Sequence, residues 1–110
     1  MTTAAEPFPK NVTEDRFKDA VIHIAITYGW QVYHPLPAMN RKGRWRTAQQ
    51  GHSGYPDLTL SREGVTIFRE LKSNTGRLSP EQRIWGKHMG DAWGVWRPTD
   101  WTDIVKTLKR

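Results

Sequence analysis

The chain contains no cysteine, which excludes a disulfide framework, a thiolate zinc site and a cysteine nucleophile. It has no apolar run approaching the roughly 18 residues of a membrane span. The opening Met1-Thr2-Thr3-Ala4-Ala5-Glu6 has neither the basic end nor the apolar stretch of a signal peptide. A cytoplasmic location and no membrane partner are therefore expected. A further absence is local: no carboxylate occurs between Asp19 and Asp57, while Arg41, Lys42, Arg44 and Arg46 crowd around Trp45. So dense a cluster repels itself unless a polyanion neutralises it. Nucleic acid is the polyanion that also suits the tryptophan, which can stack on an unpaired base. The chain as a whole leans the same way, with 17 Lys+Arg against 11 Asp+Glu and a net charge of +6.

Six Trp, three Tyr and three Phe in 110 residues supply bulky core material for one domain, and the chain is too short for two. Residues 1–12, with two prolines and no period, read as a flexible arm. Thr13 suits a helix N-cap with Glu14 and Asp15 in the first turn, where the helix dipole favours negative charge. Phe17, Ala20, Val21, Ile24, Ala25 and Tyr28 continue at helical spacing until Gly29. Trp30 to His34 reads as a strand. Pro35 to Pro56 shows no period and reads as a long loop, a feature often tied to function. Leu58–Ser61 and Val65–Leu71 form a hairpin about Arg62-Glu63-Gly64. Ser79-Pro80-Glu81-Gln82 has the makings of a capping box. It opens a helix with Trp85, His88 and Met89 on its inner face and Gly90 at its end. Ala92–Trp96 is a further strand, and Thr99 caps a last helix with Trp101, Ile104, Val105 and Leu108 inward. The order α-β-β-β-α-β-α predicts a single α/β domain over residues 13–110, a central mixed β-sheet flanked by helices.

The chemistry gathers at the hairpin. Asp57 opens one strand, and Glu70 and Lys72, two apart at the end of the next, project to the same side. Counting outward from the turn brings Asp57 near Glu70. Two carboxylates beside a lysine suit a hard cation such as Mg²⁺ or Mn²⁺, which takes carboxylate, phosphate and water oxygens. The backbone carbonyl of Leu71 is a further candidate ligand. Such an ion polarises a phosphoryl oxygen and activates water, while Lys72 steadies developing charge. Glu14 lies three and seven residues before Phe17 and Val21, and Gln82 likewise before Trp85 and Met89. Both polar residues thus extend a core stripe and need partners. For Gln82 that partner is its own helix end, an active-site group, or both. His34 and His52 flank the basic loop, within reach of phosphate but equally suited to surface or capping roles. Arg77 and Lys87 are candidate phosphate contacts. His88 reads as inward-facing and His23 as exposed, and the histidine spacings form no zinc motif.

These pieces together resemble the PD-(D/E)XK nucleases, and more narrowly the small stand-alone VRR-NUC domains of phages and bacteria. The matching segments are Thr13-Glu14-x-x-Phe17, Gly29-Trp30-x-x-Tyr33-His34, Gly54-Tyr55-Pro56-Asp57, Phe68-Arg69-Glu70-Leu71-Lys72, Gly76-Arg77-Leu78-Ser79-Pro80-Glu81-Gln82 and Trp96-Arg97-Pro98-Thr99-Asp100-Trp101. They span about Thr13 to Leu108. The resemblance implies a restriction-endonuclease-like core, with Asp57 and Glu70 as metal ligands, Lys72 as the catalytic lysine, Glu14 as a supporting acid and Gln82 as an active-site polar group. It implies a Mg²⁺- or Mn²⁺-dependent endodeoxyribonuclease in a bacterial or phage-infected cell, acting on branched DNA such as four-way (Holliday) junctions. Arg41, Lys42, Arg44, Trp45, Arg46, His34 and Arg77 would contact the DNA, with selectivity by shape rather than by long sequence readout. One active centre per chain implies a homodimer for paired cuts. A catalytically silent DNA-binding accessory protein of the same fold and an RNA-directed nuclease are the alternatives.

Overall fold

The computed structural model of the chain describes residues 8–36, 38–39, 42–43, 45–46 and 50–110, with 38–39 and 45–46 described by backbone pairing alone. The first helix, α1 (Glu14–Thr27), begins as its sequence predicts, with the Thr13 side chain accepting from the Arg16 N–H at 3.1 Å. Phe17, Val21 and Ala25, four apart on one face, are its buried residues. Gly29, at φ +86°, turns the chain into β1 (Gln31–Tyr33).

The segment expected as one long loop instead contains two short antiparallel strands, β2 (Ala38–Met39) and β3 (Trp45–Arg46). Two residues carry too little period to register in a sequence. The hairpin follows, with β4 (Leu58–Arg62) and β5 (Val65–Leu71) paired from Arg62 with Val65 to Leu58 with Arg69. Its turn is tighter than expected. Only Glu63 and Gly64 lie outside the pairing, both at positive φ (52° and 82°), as a two-residue turn matching the strand twist requires. After α2 (Pro80–Met89) and a 3₁₀ turn that takes up Ala92, β6 (Trp93–Trp96) returns parallel to β5. A second 3₁₀ turn (Pro98–Asp100) leads into α3 (Trp101–Lys109). Thr99 does not cap α3: its N–H is bonded to the Asn74 side chain, and Asp100 stands at the cap position. The result is a single α/β domain with a mixed four-stranded sheet, ordered β1-β4-β5-β6, and three helices.

Register assigns the two faces of the sheet. Leu58, Leu60 and Leu71 share one face and join Phe17, Val21, Ala25, Ile104 and Leu108 in the core beneath α1 and α3. Of the expected arm, residues 1–7 lie outside the described residues. Phe8 meets the rings of Phe17 and Trp101 edge-on at 5.7 and 5.2 Å, and Val12 is buried. The Arg62 guanidinium gathers the ends of α1 and α3, donating to the carbonyls of Tyr28, Leu108 and Arg110 at 2.9, 2.8 and 2.6 Å. A cation suits helix C-termini, where unpaired carbonyls collect.

The other face carries Glu70 and Trp93 and is covered by α2. The helix α2 comes closest to the sheet at Gly86, a residue outside the expected inner face of Trp85, His88 and Met89. Gly86 is the one buried residue of the helix, whereas Trp85 and Met89 are half-buried and His88 is exposed. A β-carbon at Gly86 would lie 2.7 Å from the Trp93 ring. Alanine there gains about 1 kcal/mol of helix propensity but forces an overlap costing about 1–3 kcal/mol. Gly86→Ala should therefore lower the melting temperature; an equal or higher one would mean that α2 does not rest on Trp93.

Candidate active site

The corner before β4 is fixed from both sides. Gly54, at φ +92°, lies so close to α2 that a β-carbon would stand 2.6 Å from the Glu81 carbonyl carbon, so only glycine fits. Pro56 is fully buried. Continuing the β4–β5 register one step past Leu58 and Arg69 brings Asp57 beside Glu70. There the Asp57 side chain takes over from the ladder, its Oδ2 accepting the Leu71 N–H at 2.8 Å. His34 Nδ1 stands 2.7 Å from the Asp57 carbonyl oxygen. A carbonyl only accepts, so Nδ1 carries the proton and the imidazole braces the corner.

Glu70 is 2% exposed and is the one buried charged residue among those described. Its Oε2 accepts from Gln82 Nε2 at 2.9 Å and lies 3.8 Å from Lys72 Nζ. Gln82 spends its other amide atom on its own helix: Oε1 accepts the Ser79 N–H at 2.9 Å, and the Ser79 hydroxyl accepts the Gln82 N–H at 3.1 Å. The capping box thus aims the amide N–H at Glu70, and both roles open to Gln82 are filled at once.

As a carboxylate, Glu70 leaves its buried Oε1 without a donor among the described residues. Burial, then the hydrogen bond and charge of Asp57, push the Glu70 carboxyl up to about 9, with Glu14 adding in the same direction and Lys72 offsetting part. Two carboxyls in so small a space cannot both stay ionised unless a cation joins them. An orphaned, buried carboxylate oxygen beside a second carboxyl is the environment that a hard divalent cation completes. The donor set fits Mg²⁺ or Mn²⁺. Among the described residues no three His, Asp or Glu side chains form a complete metal-holding group, so the remaining oxygens would come from substrate and water. Mg²⁺ usually takes this pattern, with one or two carboxylates.

These groups face a cleft of about 700 Å³ whose walls include Glu14, Lys18, His34, Tyr55, Asp57, Glu70, Leu71, Lys72 and Gln82. Of the residues singled out in the sequence, Asp57, Glu70, Leu71, Lys72, Gln82, Glu14 and His34 therefore come together. Glu14 differs in one respect. It is exposed at the cleft's edge rather than continuing the buried seam. Its charge still reaches Glu70. Arg77 is exposed and does not border the cleft, and Lys87 and His52 are likewise exposed away from it. Arg41 and Arg44, and the side chains of Trp45 and Arg46, lie outside the described residues, and Lys42 is exposed.

Two wall residues, Lys18 and Tyr55, are given no role of their own by the sequence. Lys18 is one turn beyond Glu14, and that i,i+4 spacing was the available signal. Tyr55 packs edge-on against Trp85 and Phe68, with ring centroids 5.1 and 6.2 Å apart, and its hydroxyl lies 3.2 Å from that of Thr59. Comparison with protein-family models, with curated proteins and with solved structures finds no match.

Proposed function

We propose that the protein is a divalent-metal-dependent endodeoxyribonuclease of the PD-(D/E)XK kind, resembling the stand-alone VRR-NUC domains. One observation carries this reading: the carboxyls of Asp57 and Glu70 stand side by side, with one Glu70 oxygen (Oε2) held by the Gln82 amide near the Lys72 ammonium and the other (Oε1) buried without a donor. Asp57 and Glu70 would hold Mg²⁺ or Mn²⁺, with the Leu71 carbonyl and, at the edge, Glu14 as further oxygens. Bound there, the ion supplies Lewis acidity toward a phosphoryl oxygen and makes water a stronger nucleophile at neutral pH.

The chain's own residues account for the rest. Gln82 fixes the plane of the Glu70 carboxylate, and the Leu71 N–H and His34 fix the Asp57 corner. Lys72 presents a cation to the charge that grows on the phosphoryl oxygens as the diester is attacked. Lys18, which also borders the cleft and pairs with Asp15 at 3.4 Å, would add a second cation for the incoming backbone. Recognition of DNA by shape rather than by long sequence readout accompanies this reading. Branched DNA, including four-way junctions, is the substrate class the resemblance implies, and a two-fold homodimer would place one centre on each of two strands.

The test is cleavage of labelled linear, flapped, forked and four-way DNA in Mg²⁺ or Mn²⁺, with matched RNA alongside. Metal-dependent cutting strongest on the four-way substrate is expected. Cutting of linear duplex as fast as the junction would remove the branch preference, and binding without cutting of any substrate would leave a silent DNA-binding protein.

A further inference from the structure

Beside the cleft is a second, smaller cavity of about 340 Å³, lined by His52, Ser53, Glu81, Ile84, Trp85 and His88. Its size is at the low end for a small-molecule pocket and suits a single heterocycle rather than a duplex. We infer that this pocket receives one unpaired nucleobase of the strand whose phosphate lies in the cleft. The inference rests on the nuclease reading and extends it to the substrate's bases.

Three observations carry it. The two cavities are lined by consecutive residues at two places in the chain: Ser53 and Glu81 border the pocket, while their neighbours Gly54 and Gln82 border the cleft. A strand with a phosphate in the cleft therefore passes the mouth of the pocket, where one of its bases can turn in. Second, Trp85 is pinned. Its indole N–H donates to the Ser53 carbonyl at 2.9 Å and its ring meets Tyr55 at 81°. With the N–H spent, the indole offers apolar ring surface, which stacks on any base. Ile84, 58% exposed, extends that wall. Third, the charge in the pocket selects against phosphate. Glu81 repels an anion but accepts from the exocyclic amines or ring N–H groups of a base, and the imidazoles of His52 and His88 offer complementary donors and acceptors. Branched DNA supplies unpaired or easily unstacked bases at its branch point.

The experiment compares a fluorescein-labelled single strand of mixed sequence with a strand of equal length made wholly of abasic nucleotides. Affinity is read by anisotropy with Ca²⁺ in place of Mg²⁺ to hold cleavage back. The phosphates are the same in both strands, so the affinity ratio isolates the bases. Wild type should favour the ordinary strand about tenfold. Ile84→Glu, at an exposed position outside the catalytic cleft, should bring the ratio close to unity. A wild-type ratio of one, or a ratio unchanged by Ile84→Glu, overturns the inference even if the protein cuts DNA normally. A base-sensitive ratio that Ile84→Glu abolishes supports the pocket even if no substrate is ever cut, an outcome that removes the nuclease reading alone.

Discussion

Lys72→Ala is expected to lower metal-dependent DNA cleavage by about 100- to 1,000-fold, the usual cost of deleting one group aimed at transition-state charge. The ammonium sits 3.8 Å from Glu70 Oε2 with its side chain largely shielded, where no water molecule replaces it as a fixed positive charge. Asp57→Asn should be at least as damaging for a different reason. Asparagine keeps an oxygen that can accept the Leu71 N–H, so the corner holds, but the charge that would bind the cation is gone. Both variants should melt near the wild-type temperature and still bind DNA with a salt-dependent affinity. Cleavage assays alongside thermal melts and binding isotherms check this. Loss of cleavage together with loss of folding would assign these residues to the scaffold, and full cleavage by Lys72→Ala would remove the lysine from the chemistry.

Glu70→Gln should abolish cleavage and yet stabilise the metal-free protein. With the Glu70 carboxyl raised to about 9, the folded state holds a proton that the unfolded chain releases in the ordinary carboxylate range. The stability linked to this group is complete below that range and is lost as pH rises through about 9, at no more than about 1.4 kcal/mol per pH unit. Glutamine reproduces the protonated pattern: its carbonyl oxygen accepts from Gln82 and its amide donates to Asp57. Melts of the metal-free proteins from acid to mildly alkaline pH should show the wild type losing stability relative to Glu70→Gln. Mg²⁺ or Mn²⁺ should restore wild-type stability at alkaline pH by favouring the ionised carboxyl, with little effect on the variant. Parallel pH curves for the two proteins would mean that Glu70 is ionised without a cation.

The part of the site most legible in the sequence was the part fixed by short-range rules. Side-chain alternation placed Glu70 and Lys72 together, and counting outward from a turn centred near Glu63 placed Asp57 near Glu70, because a hairpin register follows from its turn. The Ser79–Gln82 box was legible for the same reason. Gly86 was not, since a glycine that lets α2 approach Trp93 adds nothing to a hydrophobic pattern. Helical spacing puts His88 on the inner face with Trp85 and Met89, but the close approach at Gly86 leaves it exposed. The exposure of Glu14 is a tertiary fact, since helical spacing from Phe17 and Val21 does not say what covers the first turn. Arg62 depends on carbonyls 34 to 48 residues away, beyond the reach of any local signal. The strands β2 and β3 are too short to show a period at all.

Diffraction from crystals grown with Mn²⁺, recorded near the manganese absorption edge, tests most directly whether Asp57 and Glu70 share one ion. The predicted result is a single anomalous peak per chain, bonded to a carboxylate oxygen of each residue, with Glu70 Oε1 no longer orphaned and Lys72 alongside. Manganese bound elsewhere, or no peak at saturating Mn²⁺ with Glu70 still held by Gln82 alone, would contradict it.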